Sequence, residues 1–337
     1  MQVFLALLAL LAPGCRAPHE AAPLQRFEFE QAQMGLPFHL SLYAESDAQA
    51  EAAVRTAFAR VAELNHIFSD YEDDSELTLL SRTSGSGRAV PVSEELWHLL
   101  NVAQAMSRRS DGAFDITVGP LVQVWRRARR QRELPAPEVI AEAKARVGWE
   151  KLQFDPRART AKLLVPNMRL DLGSIAKGRA LDEALRVLRA HGIRRALVTG
   201  SGDMAIGDPP PGRVGWRIEL APLDAPGAPP ARFLTLRNCG FATSGDLFQH
   251  VELGGKRYSH IVDPHTGYGM TDHSLVVVIA PDAVTANSLS TTTCVVGPTR
   301  GLQLVEATPR AFARTMRRPA ERVETAESKG FSSFYEK

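Results

Sequence analysis

The chain has 337 residues, of which 44% are apolar and 23% charged, the balance of a folded globular protein with room for one large domain or two small ones. Its 40 Lys and Arg against 38 Asp and Glu leave a net charge of +2, so no overall basic field exists to hold nucleic acid. The Cys residues show neither a Cys-x-x-Cys spacing nor a Cys/His cluster, which argues against a zinc site.

The first element is an apolar run from Val3 to Ala12, followed by Pro13-Gly14-Cys15. A run of about ten residues is too short to span a bilayer but suits the core of a signal peptide. A cysteine just behind it resembles a lipoprotein signal, in which that cysteine is lipidated and becomes the new N-terminus. Residues 1–15 are therefore expected to be such a signal, and residues 16–26, rich in Ala, Pro and charge, a tether. Residues 27–337 are expected to form a single domain. The expected location is the periplasmic side of the inner membrane, held by the lipid on Cys15, or export beyond it.

Pro37 to Ala44 alternates, with Phe38, Leu40 and Leu42 on one side, as a half-buried strand does. Val54, Phe58, Val61, Leu64 and Phe68 recur at helical spacing. A second helix begins at Ser93, with Glu94 and Glu95 in its first turn and Leu96, Leu99, Leu100, Ala103 and Met106 as its apolar stripe. Arg126, Arg127, Arg129, Arg130 and Arg132 form a basic run, read as a solvated helix face, with contact to anionic lipid as the alternative. Pro135 and Pro137 precede a short helix over 138–147.

Met168 to Leu172 reads as a strand, and Gly173-Ser174 turns it into a helix with Leu181, Leu185 and Leu188 on one face, ended by Gly192. Arg195 to Thr199, Val214 to Leu220 and Phe233 to Leu236 read as strands, the last two joined by a Pro- and Ala-rich loop over 222–231. Ser274 to Ala280 is a continuous apolar strand, expected at the centre of a sheet, and a helix follows over 282–293. Strands and helices mix without regular alternation, which predicts an α+β fold. Cys239 and Cys294 lie in apolar surroundings and are read as buried free thiols, with pairing left open.

Four segments carry more polar, glycine-flanked residues than a core needs. Asp171-Leu-Gly-Ser-Ile-Ala-Lys177-Gly runs from strand to helix, where free backbone N–H groups and Lys177 suit an anion. In Thr199 to Asp203, glycines let the backbone approach a ligand and Asp203 can accept from a ribityl or ribose hydroxyl. Ala242-Thr243-Ser244-Gly245 is followed by Tyr258 to Gly267, where His260 stands three residues before Asp263 as a base with an orienting carboxylate nearby. In Ala286-Asn287-Ser288-Leu289-Ser290-Thr291, helical spacing puts Asn287 and Thr291 on one face as oxygen ligands for a hard cation. Taken singly, each of these segments equally suits a turn, a cap or a structural histidine.

Taken together and in order, they resemble the ApbE family of FAD:protein FMN transferases. The resemblance runs from about Met34 to Phe331. It includes Met34-Gly35, Phe68-Ser69-Asp70-Tyr71, Asp111 to Asp115 with Thr117 to Leu121 and Trp125, Asp171 to Gly178, Gly202-Asp203, Ala242 to Gly245, Tyr258 to Gly267 and Leu289 to Thr291. It implies a mixed α/β roll with an FAD cleft between two lobes. By analogy Met34, Tyr71, Ala113, Phe114, Asp115, Asp171, Lys177 and Ile261 line the FAD site, with Asp203 and Thr243 beside them. A Mg²⁺ ion would be held by Ser174, Asn287 and Thr291, with Ser290 close by, and His260 would ease the proton from the acceptor.

The implied reaction moves FMN from FAD to a Ser or Thr hydroxyl of an acceptor protein and releases AMP. The implied acceptor is a flavoprotein subunit of a membrane electron-transfer complex. Hydrolysis of FAD, or FAD binding without catalysis by a lipoprotein, are the alternatives. The chain departs from the family pattern at Asn287, where Asp is usual, and at Leu36, Ser81 and Gly269.

Overall fold

The computed structural model of the chain describes residues 23–223, 232–247, 249–319 and 322–336. The cysteine expected to carry lipid, the signal before it and most of the tether lie outside the described residues. The expected tether ends earlier than its composition suggests, because strand β1 (Gln25–Gln33) already begins at Gln25. It returns as β2 (Leu36–Ala44) through the two-residue turn Met34-Gly35, whose φ angles of 52° and 72° both lie in the left-handed region that such a tight turn requires.

Helix α1 (Asp47–Phe68) starts where the Ser46 hydroxyl accepts from the Gln49 N–H, and its apolar stripe is buried. The short α2 (Glu76–Ser81), the two-residue β3 (Val90–Pro91) and α3 (Glu94–Ser110) follow, the last capped by Ser93 as its sequence predicts. Next come α4 (Gly119–Gln131), which carries most of the basic run, and α5 (Pro137–Lys144). Strands β4 (Leu152–Asp155) and β5 (Thr160–Leu163) complete a small sheet with β3.

The strand expected over Met168 to Leu172 is not one. Its backbone groups go elsewhere: the Leu170 N–H to the Ser81 hydroxyl, the Asp171 N–H to the Ile116 carbonyl, with a single bridge between Val118 and Arg169. An extended apolar segment thus lies buried without a ladder. Helix α6 (Ala176–Ala190) then buries Leu181, Leu185 and Leu188.

The remaining strands are β6 (Ala196–Gly200), β7 (Asp203–Ile206), β8 (Trp216–Leu220), β9 (Arg232–Leu236), β10 (Cys239–Gly245), β11 (His250–Leu253), β12 (Lys256–Ser259) and β13 (His273–Ala280). Helix α7 (Ala283–Glu306) runs past the expected end and is broken at Gly297-Pro298, where Gly297 has φ 79°. Strands β14 (Phe312–Arg318) and β15 (Glu324–Glu327) follow it.

Eight strands form one antiparallel sheet in the order β1-β2-β6-β7-β10-β13-β14-β15. Helices α1, α6 and α7 cover one face and the β8–β9 hairpin part of the other, so the chain is α+β as expected. This two-sided cover explains β13. Val276 and Val278 pack under the helices, whereas Val277 and Ile279 meet Trp216, Ile218 and Leu234. A strand buried on both faces reads as an unbroken apolar run. Helices α4 and α5 pack on the β11–β12 hairpin through Leu121, Trp125, Ile140 and Tyr258, giving a second, smaller lobe with its own core.

Cys239 and Cys294 are free thiols. Burial pushes the Cys239 thiol up to about 12, so it is inert as a nucleophile at neutral pH.

Candidate active site

One end of the main sheet collects the polar segments. The β1–β2 turn at Met34, the β6–β7 turn at Ser201-Gly202 and the C-terminal end of β10 all lie there, because β2 pairs Phe38 with Gly200 and β7 pairs Gly200 with Asp203. The start of α6 and the second turn of α7 meet beside this end through a close helix crossing. A Cβ on Gly178 would stand 2.5 Å from the Ala283 carbonyl oxygen, so only glycine permits the approach. Asp182, one turn further along α6, accepts from the Ala283 and Val284 N–H groups at 2.9 and 3.0 Å and holds the first turn of α7.

Asp203 is the hub of this end. It is fully buried, and its Oδ2 accepts from Lys177 Nζ at 2.6 Å and from Asn287 Nδ2 at 2.9 Å. Its Oδ1 accepts from the Thr243 N–H at 2.9 Å. A buried carboxylate needs such partners, and here they come from α6, α7 and β10, so one side chain ties three elements together. The sequence pattern suggests Asp203 as a sugar-hydroxyl acceptor. Both of its oxygens are instead committed to the protein, which makes it an organiser of its neighbours.

Beside the hub lies a group of hydroxyls. Ser244 Oγ is 2.8 Å from Ser290 Oγ and 3.4 Å from Thr291 Oγ1, and Ser290 Oγ also donates to the Asn287 carbonyl at 3.0 Å. Asn287 turns its amide nitrogen to Asp203, which leaves Oδ1 as its free acceptor, and that oxygen takes only a long 3.4 Å contact from the Gly178 N–H. These donors are all oxygen, the chemistry a hard divalent cation prefers, while the charge of the neighbouring Asp203 is already balanced by Lys177. The set fits such an ion in kind. Ser174, expected as a further ligand, is partly buried at the turn before α6, and its hydroxyl makes no hydrogen bond to this group among the described residues. Ser244 has no place in the expected ligand set, although it stands inside the Ala242 to Gly245 motif.

His260 follows β12. Its Nδ1 lies 3.1 Å from the Gln249 carbonyl, which can only accept, so Nδ1 carries the proton and Nε2 presents a lone pair. Burial lowers its pKa to about 4, and the Arg129 and Lys177 cations add to the effect. Asp263 is not its orienting carboxylate. It accepts from the His265 N–H at 2.8 Å, and His265 Nε2 in turn meets the Asp111 carbonyl at 2.8 Å, locking the Pro264–Gly267 loop onto the end of α3. His260 is oriented by a backbone carbonyl and by the hairpin, whose base is held by Asp246. That buried carboxylate meets the Arg257 guanidinium, His273 Nδ1 at 2.8 Å and the Ser274 N–H at 2.9 Å.

The small lobe contributes a second charged group. Arg126 on α4 bonds Asp70 Oδ2 at 2.5 Å and Asp171 Oδ2 at 3.1 Å, and lies 4.2 Å above the Tyr71 ring. Asp171 also accepts from the Gly173 N–H, which shapes the turn into α6, while burial and the Asp70 charge hold its carboxyl above the usual range. Tyr71 is 77% exposed, an aromatic face open to a ligand. The basic run is therefore split. Arg127, Arg130 and Arg132 are exposed as a solvated face would be, but Arg126 and Arg129 are partly buried.

The other expected residues are placed as follows. Met34 packs against the main core from the hairpin tip. Ala113 and Phe114 are buried, the Phe114 ring within that core, so their backbone is the part left for a ligand. Asp115 accepts the Thr117 N–H and hydroxyl, both at 2.7 Å, and burial raises its pKa to about 6. Ile261 is buried beside the base and accepts from the Met270 N–H. A separate cavity of about 480 Å³, lined by His98, Arg179, Asp182 and Asn238, contains none of the expected residues.

Comparison with known proteins identifies the family and the fold. A family model described as the ApbE family matches residues 34–314. The FAD:protein FMN transferase of Salmonella typhimurium is 33% identical over 314 residues, covering 88% of this chain and 87% of its own length. That of Haemophilus influenzae is 30% identical over 282 residues, 81% of each chain. Among solved structures, the flavin transferase ApbE from Vibrio cholerae superposes with a TM-score of 0.83 at 26% identity, covering 93% of this chain and all of that one. The ApbE protein of Thermotoga maritima gives 0.82, also at 26% identity and 93% coverage.

Proposed function

The chain belongs to the ApbE family, and from that membership we propose that it transfers FMN from FAD to a Ser or Thr hydroxyl of an acceptor protein, with release of AMP. The observation that carries this reading is His260. Its imidazole is neutral, its Nε2 lone pair is available, and the Lys177 and Arg129 cations act on it electrostatically.

FAD lies between the lobes, with the open Tyr71 ring, the backbone of Ala113 to Asp115, and Met34, Asp171 and Ile261 around it. Nε2 of His260 removes the proton from the acceptor hydroxyl as its oxygen attacks the FMN-side phosphorus. The bond from that phosphorus to the bridging oxygen breaks, and the bridging oxygen leaves with AMP. One phosphoanhydride is exchanged for one phosphoester, and the proton passes to His260. Lys177, fixed by Asp203, supplies positive charge beside the reacting phosphoryl group. A Mg²⁺ ion, held by Asn287, Ser290, Thr291 and the nearby Ser174, would neutralise pyrophosphate charge when bound.

The acceptor belongs to a membrane electron-transfer complex, and the chain is held on the periplasmic side of the inner membrane through Cys15. The apolar run before Cys15 supports this placement, and no helix among the described residues is long and apolar enough to cross a membrane.

The test incubates purified protein with FAD, Mg²⁺ and a candidate acceptor fragment, then measures acceptor mass and released AMP. Transfer gives an acceptor heavier by one FMN unit with AMP in equal amount. Free FMN and AMP with unmodified acceptor would replace transfer by hydrolysis, and FAD binding with no product would remove catalysis altogether.

A further inference from the structure

Resting on the FAD reading above, we infer that Arg129 is a phosphate-recognising residue, whose guanidinium takes up an oxygen of the transferred phosphoryl group beside His260.

The helix places it there. On α4, Trp125 packs against Tyr258 with ring centroids 4.9 Å apart and planes tilted by 35°, and donates its indole N–H to the Gly267 carbonyl at 2.8 Å. Arg126 sits over Tyr71 and is engaged with Asp70 and Asp171. Arg129 comes four residues after Trp125 and three after Arg126, so it shares the face that both turn inward. Tyr258 leads in two residues to His260. Arg129 is thereby near enough to the Tyr71 ring and to His260 for its charge to act on both.

Its bonding is incomplete. The Nε is buried and has no hydrogen-bond partner, and no carboxylate among the described residues lies within ion-pair distance of Arg129. Arg126, one turn earlier, has two carboxylate partners. A buried guanidinium donor left unpaired is costly, and such a group persists where a ligand completes it. Burial and the neighbouring Arg126 both act against the charge of Arg129, so the side chain gains most from an incoming anion. That charge also reaches His260 and Tyr71.

The choice of anion follows from the reaction. The base must stand beside the hydroxyl it deprotonates, and that hydroxyl must stand in line with the phosphorus. A cation adjoining His260 therefore faces the oxygens of the phosphoryl group in transfer. Lys177 approaches from the main body and Arg129 from the small lobe. A planar guanidinium can grip two phosphoryl oxygens through parallel N–H groups, a fixed fork that a lysine ammonium lacks.

The experiment measures FAD and riboflavin binding by flavin fluorescence, and kcat and KM for FAD and for acceptor, in the wild type, R129Q and R129K. Melting temperatures accompany each variant. R129Q is expected to weaken FAD binding about 10- to 100-fold, the range of a lost charge-assisted hydrogen bond, and to leave riboflavin binding unchanged. R129K is expected to recover part of the FAD affinity. Equal weakening of FAD and riboflavin would overturn the inference in favour of packing, and so would unchanged FAD binding. A loss confined to the acceptor KM would overturn it in favour of an acidic group on the acceptor. A wild type that binds no FAD would remove the FAD reading and the inference together.

Discussion

The amide of Asn287 donates to the buried carboxylate of Asp203 across 2.9 Å. With Asp at position 287, the usual residue in the resembled family, two carboxylates would face each other at that distance in a buried setting. They could remain so only with a cation or a proton between them. Asn287→Asp is therefore expected to lower the melting temperature in chelator, to regain it on adding Mg²⁺, and to bind Mg²⁺ more tightly than the wild type. Melting curves against Mg²⁺ concentration check this. An unchanged metal response would remove Asn287 from the ligand set.

The base gives a pH signature of definite sign. His260 has a folded pKa of about 4, below the ordinary value of 6.5, so between those values the unfolded chain binds the extra proton. Its contribution makes stability rise with pH through that window and level off above it. His260→Gln should flatten the stability profile between about pH 4 and 6.5, and should cut kcat by about 100-fold or more if the residue is the base. Denaturant unfolding at several pH values, with single-turnover rates at pH 7, measures both effects.

Asp182 should behave in the opposite sense. Burial raises its pKa from 3.8 to about 7, so the folded state holds the extra proton between those values, and stability falls as pH rises through them. Asp182→Asn should gain on the wild type as pH rises from about 4 to 7. Asp182→Ala leaves two N–H groups of α7 without their acceptor and should cost about 1–3 kcal/mol at pH 5. A pH-independent difference between the Asp182→Asn variant and wild type, seen in chemical denaturation, would count against the assigned titration.

Arg257 holds the loop that orients the base, through Asp246 Oδ2 and the Asp246 carbonyl. Asp246 is 1% exposed, so Arg257→Met strands a buried charge and should destabilise the chain by about 3 kcal/mol. Because Gln249, the partner of His260 Nδ1, lies on the same loop, kcat should drop while FAD affinity changes little. Thermal unfolding with FAD titration tests the pair of effects, and equal losses in both would point to general loosening.

Periodicity alone locates α1, α3 and α6, whose buried stripes are those their spacing predicts, and the order of the glycine-flanked segments leads to the family. Other features were illegible for identifiable reasons. Met168 to Leu172 reads as a strand because its apolar residues alternate with Arg169 and Asp171, yet its hydrogen bonds go to Ser81 and Ile116. Asp263 is the sequence neighbour of His260, but a backbone carbonyl holds the imidazole. Ser244 joins Ser290 and Thr291 only because β10 ends beside α7.

The α+β class, the family and the polar groups available for chemistry are legible in the chain's local pattern and residue identity. Tertiary structure decided what those groups are free to do. Asp203 is spent on Lys177, Asn287 and Thr243, because burial forces a carboxylate to find partners. In the run of five arginines, helical spacing separates the faces, but tertiary contacts, the packing of Trp125 against Tyr258 and the pairing of Arg126 with Asp70 and Asp171, select which face turns inward. Those contacts leave Arg127 and Arg130 in solvent and bring Arg129, with an unpaired nitrogen, towards the base.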